Sequence, residues 1–160
     1  MAGKLSLVAT PIGNLEDITL RALRTLKECD VVLCEDTRVT GKLLAHYEIK
    51  KTLRRYDAHT TDGSHENLIS EIEEGKHFAL VSDAGTPGIS DPGVQLIRLA
   101  REVGATIEAI PGPSAVTTAV SLAGIPGNQF TFLGFVPHKK GRETILKGVA
   151  TPPPPGIFFL

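Results

Sequence analysis

Short runs fit for buried strands alternate with segments of helical period along most of this chain, and that alternation limits the folds open to it. The strand-like runs lie at residues 4–9, 31–34, 52–57, 77–82 and 105–110. Between them, Ile18, Leu20, Leu23 and Leu26 recur at helical spacing behind a capping Asp17, and a second helix is expected over residues 38–47. A third runs through Leu68, Ile69 and Ile72, with Ser64 as its cap and Gly75 as its stop. Asp91 and Pro92 open a fourth, carrying Val94, Leu96, Ile97 and Leu99, and Gly104 closes it. Small residues at 114–123 make a fifth. Parallel strands need crossovers of this length, so the pattern predicts an α/β fold, a parallel sheet with helices on both faces.

The tail reads differently. Residues 129–136 are strand-like and 140–149 helix-like, and TPPPPG then leads to IFFL. We expect a first α/β domain over residues 1–126 and the start of a second, truncated α/β domain over 127–160. Uncovered apolar residues Phe158, Phe159 and Leu160 further suggest a homodimer.

The chain's 160 residues, 41% apolar and 22% charged, suit a soluble globular protein with a sizeable core. No apolar run approaches the roughly 20 residues of a membrane span, and no signal peptide precedes Leu5. Cys29 and Cys34 read as reduced core thiols, which fits a cytoplasmic protein. The histidines are scattered, so no metal site is expected. A net charge of −1 argues against gripping nucleic acid with the whole surface, and no DNA partner is expected. Two local basic spots remain, Lys50, Lys51, Arg54 and Arg55, and Lys139, Lys140 and Arg142. A solvated face is the usual explanation of such spots.

Ligands of open parallel sheets sit beyond the carboxyl ends of the strands. Three unusual loops share that edge here: TPIGN after the first strand, DAGTPGISDPG after the fourth and PGPS after the fifth. Glycine admits backbone close to a ligand, and proline holds a loop in shape beforehand. Asp83 stands at a strand exit, where it could bond a hydroxyl or an amine. Tight connections between strands and helices also favour these residues, but three at one edge point to a site. GxGxxG, GxxxxGK[ST] and GxSxG are absent, which disfavours a standard dinucleotide site, a P-loop hydrolase and a serine acyl transferase. From the residues alone, the ligand is a small organic molecule held mostly by backbone.

"LSLVATPIGNLEDITLRALRTLKECDVVLCEDTR", "LVSDAGTPGISDPG" and "IPGPSAVTTAVSLAG" closely resemble the tetrapyrrole-methylase-like, S-adenosylmethionine-dependent methyltransferases. Other members carry a GAGPG-like turn where this chain has Thr10-Pro11-Ile12-Gly13, and GDP where it has Ser82-Asp83-Ala84. Both departures resemble the branch that 2′-O-methylates a cytidine ribose in 16S rRNA of the small ribosomal subunit. The resemblance implies a two-domain enzyme with S-adenosyl-L-methionine in its cleft, of which this chain carries the first domain. It also implies that Ile12, Asp83, Thr86, Ser114 and Ala115 line the site of the methyl donor, with Pro11 and Gly85 shaping it.

Methyl transfer from a sulfonium is an in-line displacement that needs alignment and, for a ribose hydroxyl, a proton acceptor. Glu35 and Asp36 are the carboxylates at the second strand's exit, with Arg38 and Lys42 close in sequence. Asp36 or Glu35 is expected near the reacting hydroxyl and Arg38 on a phosphate. A carboxylate that satisfies free amides at a helix N-terminus is an equally good account. Arg54 and Arg55 are further RNA contacts expected away from the three-loop edge. Two other readings stay open: a methylase of a small tetrapyrrole-type substrate, and a ligand-binding module without catalysis.

Overall fold

The computed structural model describes residues 2–89, 93–124, 126–137, 141–150 and 156–159. Side-chain alternation along its strands sets the architecture. In β1 (Lys4–Val8), β2 (Val31–Cys34) and β4 (His77–Leu80), successive residues turn to opposite faces. On one face Val8, Val32, Cys34 and Ala79 pack with Ala22 and Leu26 of α1 (Leu20–Glu28) and Leu44 of α2 (Thr37–His46). On the other, Leu5, Leu33, Phe78 and Leu80 pack with Leu68 and Ile72 of α3 (Asp62–Glu73) and Leu96 and Ala100 of α4 (Gly93–Glu102). Each fully buried aliphatic side chain stabilises the fold by about 1.5–3 kcal/mol relative to exposure. The α/β sheet with helices on both faces is thus confirmed.

Strand order is β3-β2-β4-β1-β5, and every pairing is parallel, with β3 (Thr52–Arg55) and β5 (Thr106–Ile110) at the edges. The chain leaves β1 toward β2 and leaves its neighbour β4 toward β5. The two central strands therefore send their loops in opposite directions and open a crevice at the carboxyl edge. At the opposite edge Gly3 is indispensable in size, because a Cβ there would lie 2.1 Å from the carbonyl oxygen of Lys76.

Some helix starts differ from the expected ones. Asp17 ends a single 3₁₀ turn (Leu15–Asp17), and Thr19 caps α1 by accepting the amide of Ala22 at 3.0 Å. Asn14 supports that turn by accepting from the Glu16 amide, which leaves the cap position to Thr19. Ser64 lies inside α3, whose N-cap position is held by Thr61. Acidic Asp62 suits the first turn there, so the helix begins before Ser64. Gly75 stops α3 and Gly104 stops α4, both in left-handed backbone. The expected Asp91–Pro92 start of α4 lies outside the described residues.

Contacts divide the chain into two compact units, Met1–Pro113 and Ser114–Leu160. The sheet belongs to the first. In the second, α5 (Ala115–Leu122) is followed by β6 (Thr131–Phe135), α6 (Arg142–Ala150) and β7 (Gly156–Phe159), with β6 and β7 paired in parallel. The small-residue helix α5 thus falls with the second unit, whereas the composition changes near residue 127.

Candidate functional site

The loops that leave β1 and β4 are tied together at the crevice. The Thr10 amide donates to the Gly85 carbonyl at 2.9 Å, and the Gly85 amide donates back to Thr10 at 3.1 Å. The buried Thr10 hydroxyl donates to the Ser82 carbonyl at 3.0 Å, and the Ser82 hydroxyl donates to the Gly85 carbonyl at 3.2 Å. Gly85 takes a φ of +83°, which a side chain would strain, and Ile12 packs over it. The third loop joins them: the Thr86 hydroxyl donates to the Pro113 carbonyl at 3.4 Å, and Gly112 lies so close to Ala9 that a Cβ would come within 2.9 Å. Pro11, Ile12, Asp83, Gly85 and Thr86 are therefore brought to one edge. Ser114 and Ala115 fall in the second unit, as the N-cap and first residue of α5.

A cavity of about 380 Å³ opens between these loops and α2. Thr10, Pro11 and Leu15 wall it from the β1 loop, Ser82 and Asp83 from β4, and Val39, Thr40, Lys42 and Leu43 from α2. The Tyr47 hydroxyl donates to the Leu15 carbonyl, which pins the β1 loop to the end of α2. The exposed Asp83 carboxylate accepts the Asp36 amide at 3.2 Å, so β4 and the start of α2 are linked at the cavity's mouth.

Glu35 and Asp36 are both partly buried at the exit of β2. Asp36 caps α2, accepting the Arg38 amide at 2.8 Å, and forms a two-pronged pair with the Arg38 guanidinium, 2.6 Å at its closer prong. The guanidinium and that amide hold the Asp36 carboxyl well below the usual carboxylate range. It is a strong acceptor of hydrogen bonds and a weak proton base in this arrangement. Arg38 extends into solvent, 86% exposed, and Lys42 lines the cavity.

The basic pair on β3 is divided by the strand's alternation. Arg54 shares the face of Leu33, where Glu71 of α3 takes both prongs of its guanidinium and Lys76 bonds the same carboxylate at 2.6 Å. It also stacks over the Phe78 ring at 5.8 Å. Arg55 points the other way, is 71% exposed and pairs with Asp57 at 2.5 Å. The expectation that both lie away from the loop edge fails for Arg55, because it is the last residue of β3 and parallel strands end together. Lys139 and Lys140 lie outside the described residues. Among those described, no cluster of histidine, cysteine or acidic side chains could hold a metal, and no helix is long and apolar enough to cross a membrane.

Sequence reading missed Thr10, Ser82, Leu15, Val39 and Tyr47. Thr10 and Ser82 stood inside the quoted motifs, each as the first polar residue after its strand, where a hydroxyl can bond carbonyls of the loop after β4. Tyr47 carries no such local signal, because its partner lies in another loop.

The family described as tetrapyrrole (corrin/porphyrin) methylases matches residues 4–155. Among curated relatives, ribosomal RNA small subunit methyltransferase I of Thermotoga maritima is 46% identical over 98% of this chain and 71% of its own length. The protein of that name from Escherichia coli O157:H7 is 47% identical over 98% of this chain and 55% of its own. That from Halalkalibacterium halodurans is 50% identical over 88% of this chain and 49% of its own. This chain thus spans from about half to about seven-tenths of their lengths. Among solved structures, uroporphyrin-III-C-methyltransferase from Thermus thermophilus superposes with a TM-score of 0.63 at 28% identity, covering 84% of this chain and 61% of that one.

Proposed function

The chain belongs to the tetrapyrrole (corrin/porphyrin) methylase family, and on that premise we propose that its protein transfers a methyl group from S-adenosyl-L-methionine to a cytidine ribose 2′-hydroxyl of 16S rRNA. The observation that carries the reading is the placement of Asp83 and Gly85, tied to Thr10, at the sheet's switch point in a chain 46% identical to a protein named for small-subunit rRNA methylation. The similarity to the uroporphyrin enzyme stands at 28% identity, against 46% to the relative named for small-subunit rRNA methylation.

The residues present suit the methyl donor. Asp83 offers an exposed carboxylate to a hydroxyl or an ammonium, and the Gly85 backbone admits close approach. Pro11, Ile12 and Thr86 shape the rest of that edge, and the family resemblance alone carries Ser114 and Ala115 as donor-binding residues. When bound, S-adenosylmethionine supplies an activated methyl group on a sulfonium. What the protein adds is alignment, worth several kcal/mol when the reacting atoms are held in line.

Arg38 and Lys42 hold an RNA phosphate, with Arg55 contributing farther along the edge. A phosphate that draws Arg38 from Asp36 removes the main cause of that carboxyl's low proton affinity. Asp36 then accepts a hydrogen bond from the ribose hydroxyl, with Glu35 beside it as the second carboxylate of the strand exit. Substrate binding and basicity at Asp36 are thus coupled.

The protein acts in the cytoplasm on the small ribosomal subunit, as a homodimer with no DNA or membrane partner. Tritiated S-adenosylmethionine incubated with the protein and unmethylated small subunits tests the proposal. Label in a 2′-O-methylcytidine is the expected result. Label in a tetrapyrrole but not in RNA would replace this reading with the alternative, and light scattering reports the oligomeric state.

A further inference from the structure

We propose that Thr10 is a positioning residue for the methyl-donor site, acting through Asp83 and Gly85 rather than by touching the ligand; the inference rests on the proposed donor binding. Its side chain is 2% exposed and stands where β1 gives way to its loop. The hydroxyl has one proton, directed at the Ser82 carbonyl at 3.0 Å, with the Gly85 carbonyl farther off at 3.5 Å. Thr10's backbone meanwhile exchanges two bonds with Gly85. Both residues that flank the Asp83–Ala84 corner are therefore gripped from the same side chain and backbone. The Ser82 hydroxyl closes the ring by donating to Ala84 and Gly85 carbonyls.

The corner has no helix or strand to define it. Gly85 is free to visit many backbone conformations, and Asp83 is exposed, so neither would keep its place unaided. The bond from Thr10 to Ser82 fixes the peptide just before Asp83. It thereby sets the direction from which the carboxylate meets a ligand and the Asp36 amide. Valine has threonine's shape and lacks the hydroxyl, while serine keeps the hydroxyl and lacks the methyl. The pair of substitutions separates positioning from packing.

Calorimetric titration with S-adenosylhomocysteine, alongside circular dichroism and thermal melting, provides the test. Thr10→Val is expected to fold and to bind about tenfold more weakly, as the loss of one buried hydrogen bond predicts. Thr10→Ser is expected to bind within about threefold of wild type even where the missing methyl lowers its melting temperature. Wild-type affinity in folded Thr10→Val, or a tenfold loss in Thr10→Ser, overturns the proposal. Should Thr10→Val not fold, Thr10→Ser decides alone. Failure of the wild-type protein itself to bind the probe refutes the donor reading instead, and this inference with it.

Discussion

Replacing Arg54 with alanine should weaken the fold and leave RNA binding almost untouched. In the native protein Glu71 accepts both prongs of Arg54 and a bond from Lys76, and the bond from Arg54 is the main reason its carboxyl falls from 4.5 to about 2. A drop of that size sets a ceiling of about 3 kcal/mol on what the partners contribute together. Arg54 and Lys76 share it, and their side chains are 40% and 42% exposed, so solvent screening leaves Arg54 with about 1–2 kcal/mol. For a unit of this size that corresponds to a melting temperature lower by about 4–8 °C at pH 7. Because the folded value is depressed, the contribution is fully present above pH 4.5 and is lost as pH falls toward 2. Melting curves of wild type and Arg54→Ala should therefore differ at pH 7 and converge in acid. A variant as stable as wild type at pH 7, or one whose deficit persists undiminished in acid, would refute the assignment. RNA binding measured well below the melting temperature should stay within about twofold, and a larger loss would return Arg54 to the RNA surface.

Arg55→Ala should leave stability nearly unchanged, since solvent screens an exposed ion pair, yet reduce the log–log salt slope of RNA affinity by roughly 0.7 in filter binding. Asp83→Ala should weaken S-adenosylhomocysteine binding by about 1–3 kcal/mol in calorimetry while the fold survives, because the side chain is exposed. In Gly3→Ala, the Cβ contact of 2.1 Å with a backbone carbonyl must be relieved by moving the sheet edge, and chemical denaturation should show a loss of more than about 2 kcal/mol. Cys29, whose thiol burial pushes up to about 11, should react with a thiol reagent at pH 7.5 only after denaturant is added, as mass spectrometry can read out.

Parallel architecture was legible because Val31 to Cys34 and Phe78 to Val81 are apolar at every position, which only a strand buried on both faces requires. The loop edge was legible too, since glycine and proline at TPIGN and DAGTPG answer to local backbone demands. What stayed hidden depends on partners distant in sequence. Whether Arg54 meets RNA or Glu71 turns on the pairing of β3 with β2 and the packing of α3, neither of which its neighbours reveal. Asp36 caps α2, as one of the two accounts offered for it expects, and stands at the exit of β2 beside Asp83. Caps were misjudged at Asp17 and Ser64 because several polar residues competed for each start, and backbone geometry chose Thr19 and Thr61.

Strand order also dictates a history for the molecule. β1 is made before its sheet neighbours among the described residues, β4 and β5, which end at Leu80 and Ile110. On a ribosome adding about 5–20 residues per second, Leu5, Leu7 and Val8 wait roughly 5–20 s for partners. Closing loops this long slows folding more than it weakens the product. The nascent β1 is thus an apolar segment in need of shelter, and β2, β3 and β4 can assemble before it docks on the open edge of β4. Strand β5, at the sheet's edge, can add only once β1 is set, and the edge where the β1 and β4 loops meet does not exist until then.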